Sequence, residues 1–193
     1  MKTIVKEIIT SVITTLLFAV VLCGIYPLIV WGAGQLLFSH HANGSLIESG
    51  DRKIVGSEWL GQNFTSAKYF QPRPSGAGYR VNLSSTYLEP ISQKLNASVK
   101  AAVEQYRKNN CVSDDVAVPE DAVTSSGSGC YPHISVKNAL LQAARVAKER
   151  GLREDVVKGE IAKATARPSF GIFGDAGVNV LTLNVALDKL TAK

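Results

Sequence analysis

No charged residue lies between Glu7 and Glu48. In a chain that is 19% charged, a gap of that length argues against a buried core helix, which is rarely this apolar on every face. Other shortages narrow the function. The three cysteines include no Cys-x-x-Cys pair and no Cys/His set at metal-ligand spacing, which argues against a structural zinc site. No Gly-x-Ser-x-Gly elbow occurs, and no Lys-Ser/Thr pair follows a glycine loop, so the α/β-hydrolase nucleophile and the Walker A triphosphate site are both missing. Lys and Arg total 21 against 16 Asp and Glu. Setting aside Lys2, Lys6 and Glu7 leaves 19 against 15, a mildly basic remainder with no basic run or basic–aromatic interleaving. Nucleic acid is therefore not an expected partner.

What fills the gap is an apolar run from Ile8 to Phe38. A bilayer core about 30 Å thick takes roughly 20 apolar residues at the helical rise, and this run exceeds that. Tyr26 and Trp31 lie toward its far end, where amphipathic rings favour the interface. Pro27 lacks an N–H and should kink the helix near that end. A cleaved signal peptide has a shorter apolar region, about 7–15 residues, before a small-residue site, so the run reads as an uncleaved anchor. Lys2, Lys6 and the terminal amine flank one side, and no Lys or Arg follows until Arg52. The positive-inside rule then places the N-terminus in the cytoplasm and the rest outside. The expected organisation is residues 1–38 as cytoplasmic tip and membrane anchor, and residues 39–193 as one extracytoplasmic domain. Membrane lipid is thus an expected partner.

The fold class expected is α+β: a transmembrane helix followed by an α/β domain with several helices and a few short strands. Leu46-Ile47 and Lys53–Ser57 read as short strands around a turn at Ser49-Gly50-Asp51. From Tyr69 to Tyr79, two prolines and two glycines make a loop, with Tyr69 and Phe70 as core anchors. A helix should begin near Pro90 and end at Asn109-Asn110, its inner face formed by Ile91, Leu95, Val99, Val103 and Tyr106. Ser135 caps a helix over Val136–Arg150 with Leu140, Leu141, Ala144 and Ala147 inward and Gly151 at its end. Another helix spans Arg153–Ala164. A last element, Val178–Leu190, has a helical beat through Val180, Leu183, Leu187 and Leu190, although its β-branched start also suits a strand. Cys111 and Cys130 are expected to pair as a local disulfide outside the cytoplasm.

Few residues invite chemistry. Ser126-Gly127-Ser128-Gly129 could offer backbone N–H groups to an anion, or simply form a tight turn. His133 near Ser126 or Ser128 raises an anchored extracytoplasmic serine hydrolase as the alternative function, although that chemistry needs a third, orienting group. His40-His41 has no acidic partner nearby. The glycines from Gly171 to Gly177 do not follow the dinucleotide spacing. Asn63, Asn82 and Asn96 each match the short Asn-x-Ser/Thr pattern. No ionisable residue lies within the span to bind or relay an ion.

Several phrases together resemble the KdpC family, whose members belong to the bacterial potassium-transporting Kdp P-type ATPase. They are Gly24-Ile-Tyr-Pro-Leu28, Ala42-Asn-Gly-Ser-Leu-Ile47, Gly56-Ser57, Leu60-Gly-Gln-Asn-Phe64, Tyr69-Phe70 and Arg73-Pro-Ser75. Further along come Val123–Gly129, Pro132-His-Ile-Ser135, Arg145-Val-Ala-Lys148, Val178-Asn-Val180 and Leu183–Asp188. The likeness runs in order along almost the whole chain. It departs at Asn82–Pro90, which is shorter than the family's stretch, and at Cys130-Tyr131, which stands where the family has Leu-Asp.

The resemblance implies a non-catalytic accessory subunit of a high-affinity, ATP-driven potassium uptake complex in the bacterial inner membrane. Its partners would be a channel-like subunit and an ATP-hydrolysing subunit. It also implies a catalytic chaperone that raises the ATP affinity of the hydrolysing subunit, with nucleotide contact at Ser126, Gly127, Ser128 and Gly129. No cofactor would be tightly bound; ATP would come through the complex.

Overall fold

With no charge to solvate and apolar side chains on every face, the N-terminal segment is helical almost throughout. The computed structural model describes residues 2–48, 53–80 and 92–191. Helix α1 (Lys2–Val20) runs into a π-helical turn (Val21–Ile25) and then α2 (Tyr26–Leu37). The wide turn has a local cause. Pro27 has no N–H for the carbonyl of Cys23 and its ring crowds that carbonyl; the preceding turn widens, with the Tyr26 N–H reaching back to the Val21 carbonyl. Such single-turn π segments are how helices absorb an irregularity without ending. The stretch Thr3–Leu37 is long and apolar enough to cross a membrane, and none of its most apolar window is buried against the rest of the protein. A short helix, α3 (Ser39–Ala42), follows.

By its contacts the chain divides into Met1–Leu46 and Ile47–Lys193. The second unit begins around strands β1 (Leu46–Glu48) and β2 (Ile54–Ser57), which pair with each other at the two places where short strands are expected. Among the described residues, four α-helices carry the rest: α4 (Gln93–Asn110), α5 (Val136–Arg150), α6 (Glu154–Ala164) and α7 (Val180–Thr191). Three short strands, β3 (His133–Ser135), β4 (Thr165–Ala166) and β5 (Gly177–Asn179), form an antiparallel sheet in the order β3-β5-β4. Ile134 and Thr165 both face Val178 across it. The core lies between this sheet and α5, α6 and α7, with Phe70, Val146, Val157, Ile161, Leu183 and Leu187 fully buried or nearly so. The architecture is α+β.

The ends of the helices follow their sequence signals. The Ser92 hydroxyl accepts from the Leu95 N–H at the start of α4, and the Ser135 hydroxyl does the same for Asn138 at the start of α5. Gly151 closes α5 in the left-handed conformation. The expected start of α4 at Pro90, its inner residue Ile91 and the turn at Ser49-Gly50-Asp51 lie outside the described residues. Val99 and Val103 are half-buried and Tyr106 buried, as their spacing predicts.

Three expectations need correction. The inner face of α5 is not Leu140, Leu141 and Ala144 but Asn138, Ala139, Gln142, Ala143, Val146 and Ala147; Leu140 is exposed. Two buried amides set that face, so hydropathy alone points to the wrong side. The last element is not helical from its beginning: Gly177–Asn179 is the central strand, and Asn179 then caps α7 by accepting from the Thr182 N–H. Cys111 and Cys130 are free thiols, not a disulfide. Cys111 turns the end of α4 in the left-handed conformation, exposed, while Cys130 is buried beside β3.

A pocket between two polar loops

Among the described residues the segment Tyr69–Gln71 has no strand partner, yet Phe70 is completely buried. Two side-chain amides replace the missing ladder. The Phe70 N–H donates to Asn184 Oδ1 (2.8 Å) and its carbonyl accepts from Asn184 Nδ2 (3.0 Å). Gln142 treats the next residue the same way, accepting from the Gln71 N–H (2.8 Å) and donating to the Gln71 carbonyl (3.1 Å). Buried backbone groups left unpaired are costly, which explains polar residues on the inner faces of α5 and α7.

Gln142 is one member of a longer network. Its amide donates to Asn138 Oδ1, which also accepts from the Tyr106 hydroxyl (2.8 Å), while Asn138 Nδ2 donates to Asp121 (3.0 Å). Arg145 donates to Gln142, to Asn110 and to the carbonyls of Ala67 and Tyr69. Burial pushes the Tyr106 phenol well above its ordinary value, with the Asp121 charge adding to the effect. Burial also lowers Arg145 from its usual value, the Tyr106 and Glu149 charges opposing it. At the far end Asp188 pairs with the almost wholly buried Arg150 at 2.9 Å, and Arg150 lies over the Tyr69 ring.

Held at Phe70 and Gln71, the chain passes into the Arg73–Tyr79 loop, which clasps the Ser/Gly loop. Arg73 Nε donates to the Thr124 carbonyl (2.9 Å) and Nη2 to the Thr124 hydroxyl (3.0 Å). The Ser126 N–H donates to the Pro74 carbonyl, and the Ser75 hydroxyl donates to the Gly129 carbonyl (2.6 Å) while accepting from the Tyr79 N–H. The Tyr79 hydroxyl closes the turn on the Arg73 carbonyl, and burial holds its pKa up at about 12. Gly129 is required here. Its φ is +69°, and a Cβ would sit 2.9 Å from that of Ala77.

Between the loops and the inner side of α4 lies a pocket of about 500 Å³, within the range that holds small ligands. Its wall includes Arg73, Leu95, Val99 and Thr124, with Glu120 adding a carboxylate. The four serine and glycine positions do not act together. Ser126, Gly127 and Gly129 line this pocket, whereas Ser128 faces a second groove with Trp59, Tyr131 and His133. The amides of Ser126 and Gly129 are used within the clasp, and that of Cys130 donates to the Ser128 hydroxyl. The amides of Gly127 and Ser128 have no partner among the described residues; of the two, the Gly127 amide lies at this pocket, where it and the remaining face of Arg73 can meet a polar or anionic group.

A nucleophile–base pair does not form. Among the described residues no hydrogen bond joins His133 to Ser126 or Ser128; its ring instead leans on Tyr131, with centroids 5.6 Å apart. Burial lowers the His133 pKa below its usual value. Nothing in this geometry favours a serine hydrolase. Among the described residues no group of three or more His, Cys, Asp or Glu could hold a metal ion.

Arg73 stands in the sequence only as part of a phrase, without a role of its own. No local signal identifies it, because its partner Thr124 is distant along the chain. The same is true of Gln142 and Asn184.

Known proteins resemble this sequence over nearly the whole chain. A family model described as KdpC, K+-transporting ATPase, c chain, matches residues 8–189. The Potassium-transporting ATPase KdpC subunit of Mycobacterium bovis (strain BCG / Pasteur 1173P2) is 46% identical over 188 residues, covering 96% of this chain and 99% of the relative. The protein of that name from Nitratidesulfovibrio vulgaris is 41% identical over 194 residues, covering 98% and 96%. The one from Caulobacter vibrioides is 46% identical over 175 residues, covering 89% and 87%. The chain belongs to the KdpC family of K+-transporting ATPase components.

Proposed function

We propose that the chain is a non-catalytic accessory subunit that assembles and stabilises an ATP-driven potassium uptake complex. Its span packs beside the helices of a channel-like subunit, and its folded domain braces that subunit and the ATP-hydrolysing one. The observation that carries this reading is the span itself. The helical stretch Thr3–Leu37 has its most apolar window wholly uncovered, so the surfaces that complete it are lipid and helices of other chains. Gly24 and Gly32 have open space where a side chain would stand, which permits close approach of a partner helix.

Lys2 and Lys6 at the N-terminal flank support a cytoplasmic N-terminus and an extracytoplasmic domain in a bacterial inner membrane. On that arrangement, a rise in ATP affinity of the hydrolysing subunit reaches it through the packed assembly. The test is deletion of residues 39–193 in a cell that depends on this complex for potassium. Loss of assembly or uptake is expected; unaltered uptake overturns the reading.

A second reading has its own support in the Arg73 side chain and the Gly127 amide, which has no partner among the described residues. On it, the pocket takes a nucleotide directly. Isothermal titration of the full-length chain in micelles with ATP decides this, with the Arg73→Ala variant as control. Saturable heat lost in the variant supports direct contact, and no heat in either rejects it.

A further inference from the structure

The connection between β4 and β5 ends in an apolar tip that neither the pocket nor the core uses. Phe170 is 93% exposed, Ile172 80% and Phe173 67%, the three crowded into one turn with Gly171 between them. No charged residue falls between Arg167 and Asp175. Scattered exposed apolar residues need no account, but a contiguous cluster marks an interaction site.

We infer that this tip inserts into the interfacial layer of the lipid bilayer that holds the chain's own span, docking the domain on the membrane surface. Three observations favour lipid as the occupant. Most amides of the tip are paired within it: the Ser169 N–H donates to the Phe173 carbonyl (2.8 Å) and the Phe173 N–H to the Ser169 carbonyl (3.0 Å). The Gly171 and Ile172 amides donate to the carbonyls of Pro168 and Ser169. Amides paired inside the turn need no partner in an apolar layer, whereas a turn that docks on a protein by its backbone leaves donors free.

The turn is also presented from a fixed base. Gly171 and Gly174 have positive φ, as does Phe170, and the strands on either side are paired in the sheet at Thr165–Val178 and Ala166–Gly177. Finally, the bilayer is within reach. Segment 38–47 between α2 and the domain spans at most about 35 Å even when fully extended. A domain on so short a tether stays beside the membrane, and Arg167 at the base of the tip suits the phosphates of the headgroup layer.

The test uses the full-length chain in vesicles of equal parts phosphatidylcholine and phosphatidylglycerol, some lipids spin-labelled high on the acyl chain. An environment-sensitive fluorophore is attached at Ile172→Cys after Cys23→Ala and Cys111→Ser; the parent lacking the new thiol checks that Cys130 stays unlabelled. Glu104→Cys, on the exposed side of α4, serves as the reference. A blue-shifted emission at position 172, quenched several-fold more strongly than at 104, is expected. Adding Phe170→Ser and Phe173→Ser should return position 172 to the reference level. Equal quenching at 172 and 104 overturns the inference. So does a blue shift that appears only when the other pump subunits are present and is insensitive to the lipid label, since the tip then seats on protein. The measurement needs no partner chain, so its failure leaves the subunit reading untouched.

Discussion

Asn184 on α7 and Phe70 in an extended loop exchange two hydrogen bonds, at 2.8 and 3.0 Å, in the manner of neighbouring strands. The pairing lets a bulky ring reach the core on a segment with no strand beside it. Replacing Asn184 with Ala leaves one buried N–H and one buried carbonyl unpaired, each costing about 1–3 kcal/mol. We expect roughly 2–6 kcal/mol of destabilisation, read from thermal unfolding of the domain in detergent-solubilised full-length chain. A change within error would show that water replaces the amide.

Gly129 and Gly159 should respond in opposite directions to the same substitution. At Gly129 a methyl group meets Ala77 and the backbone holds a positive φ, so Gly129→Ala should cost about 1–3 kcal/mol and loosen the clasp around the pocket. Gly159 sits exposed within α6 with nothing within 4 Å of an added Cβ. There Gly159→Ala should stabilise by up to about 1 kcal/mol. The same unfolding experiment reads both.

His133 gives the domain a pH dependence. Its pKa in the folded protein lies below the ordinary 6.5 because burial disfavours the imidazolium. The unfolded chain then binds more protons between the folded value and 6.5, so stability rises with pH through that window and falls as pH drops below 6.5. Unfolding midpoints measured across the window should be steeper in pH for the parent than for His133→Gln. Parallel curves would assign the dependence to other groups.

Arg73 tests the join between the loops. Arg73→Lys keeps the charge but lacks the rigid fork that reaches the Thr124 carbonyl and hydroxyl at 2.9 and 3.0 Å. Faster limited proteolysis within the Ser/Gly loop is expected, with the unfolding midpoint little changed. Protection equal to the parent would mean that the backbone contacts at Ser126 and Gly129 hold the clasp unaided.

Much of the helical frame is legible along the chain. Ser135 and Gly151 mark helix ends by their own chemistry, and the spacing of Leu95, Val99, Val103 and Tyr106 gives α4 its inner side. The inner side of α5 is not legible this way. Leu140 and Leu141 outweigh alanines in any hydropathy pattern, while the buried positions are chosen by Asn138 and Gln142, whose value lies in distant partners. The strands β3, β4 and β5 are two or three residues long, too short for a period-two alternation to declare itself.

The sequence by itself determined the properties that depend on a residue and its near neighbours. The long uncharged run dictates a span, Pro27 dictates an irregular turn before it, and caps delimit helices. Tertiary structure decided what depends on meetings between remote segments: the amide pairing at Phe70 and Gln71, and the Arg73–Thr124 clasp with the pocket it encloses. It also decided that Cys111 and Cys130 stay apart. The physical reason is that a side-chain hydrogen bond acts only over about 3 Å. Which donors and acceptors come within that reach is settled when the chain packs, not by their order along it.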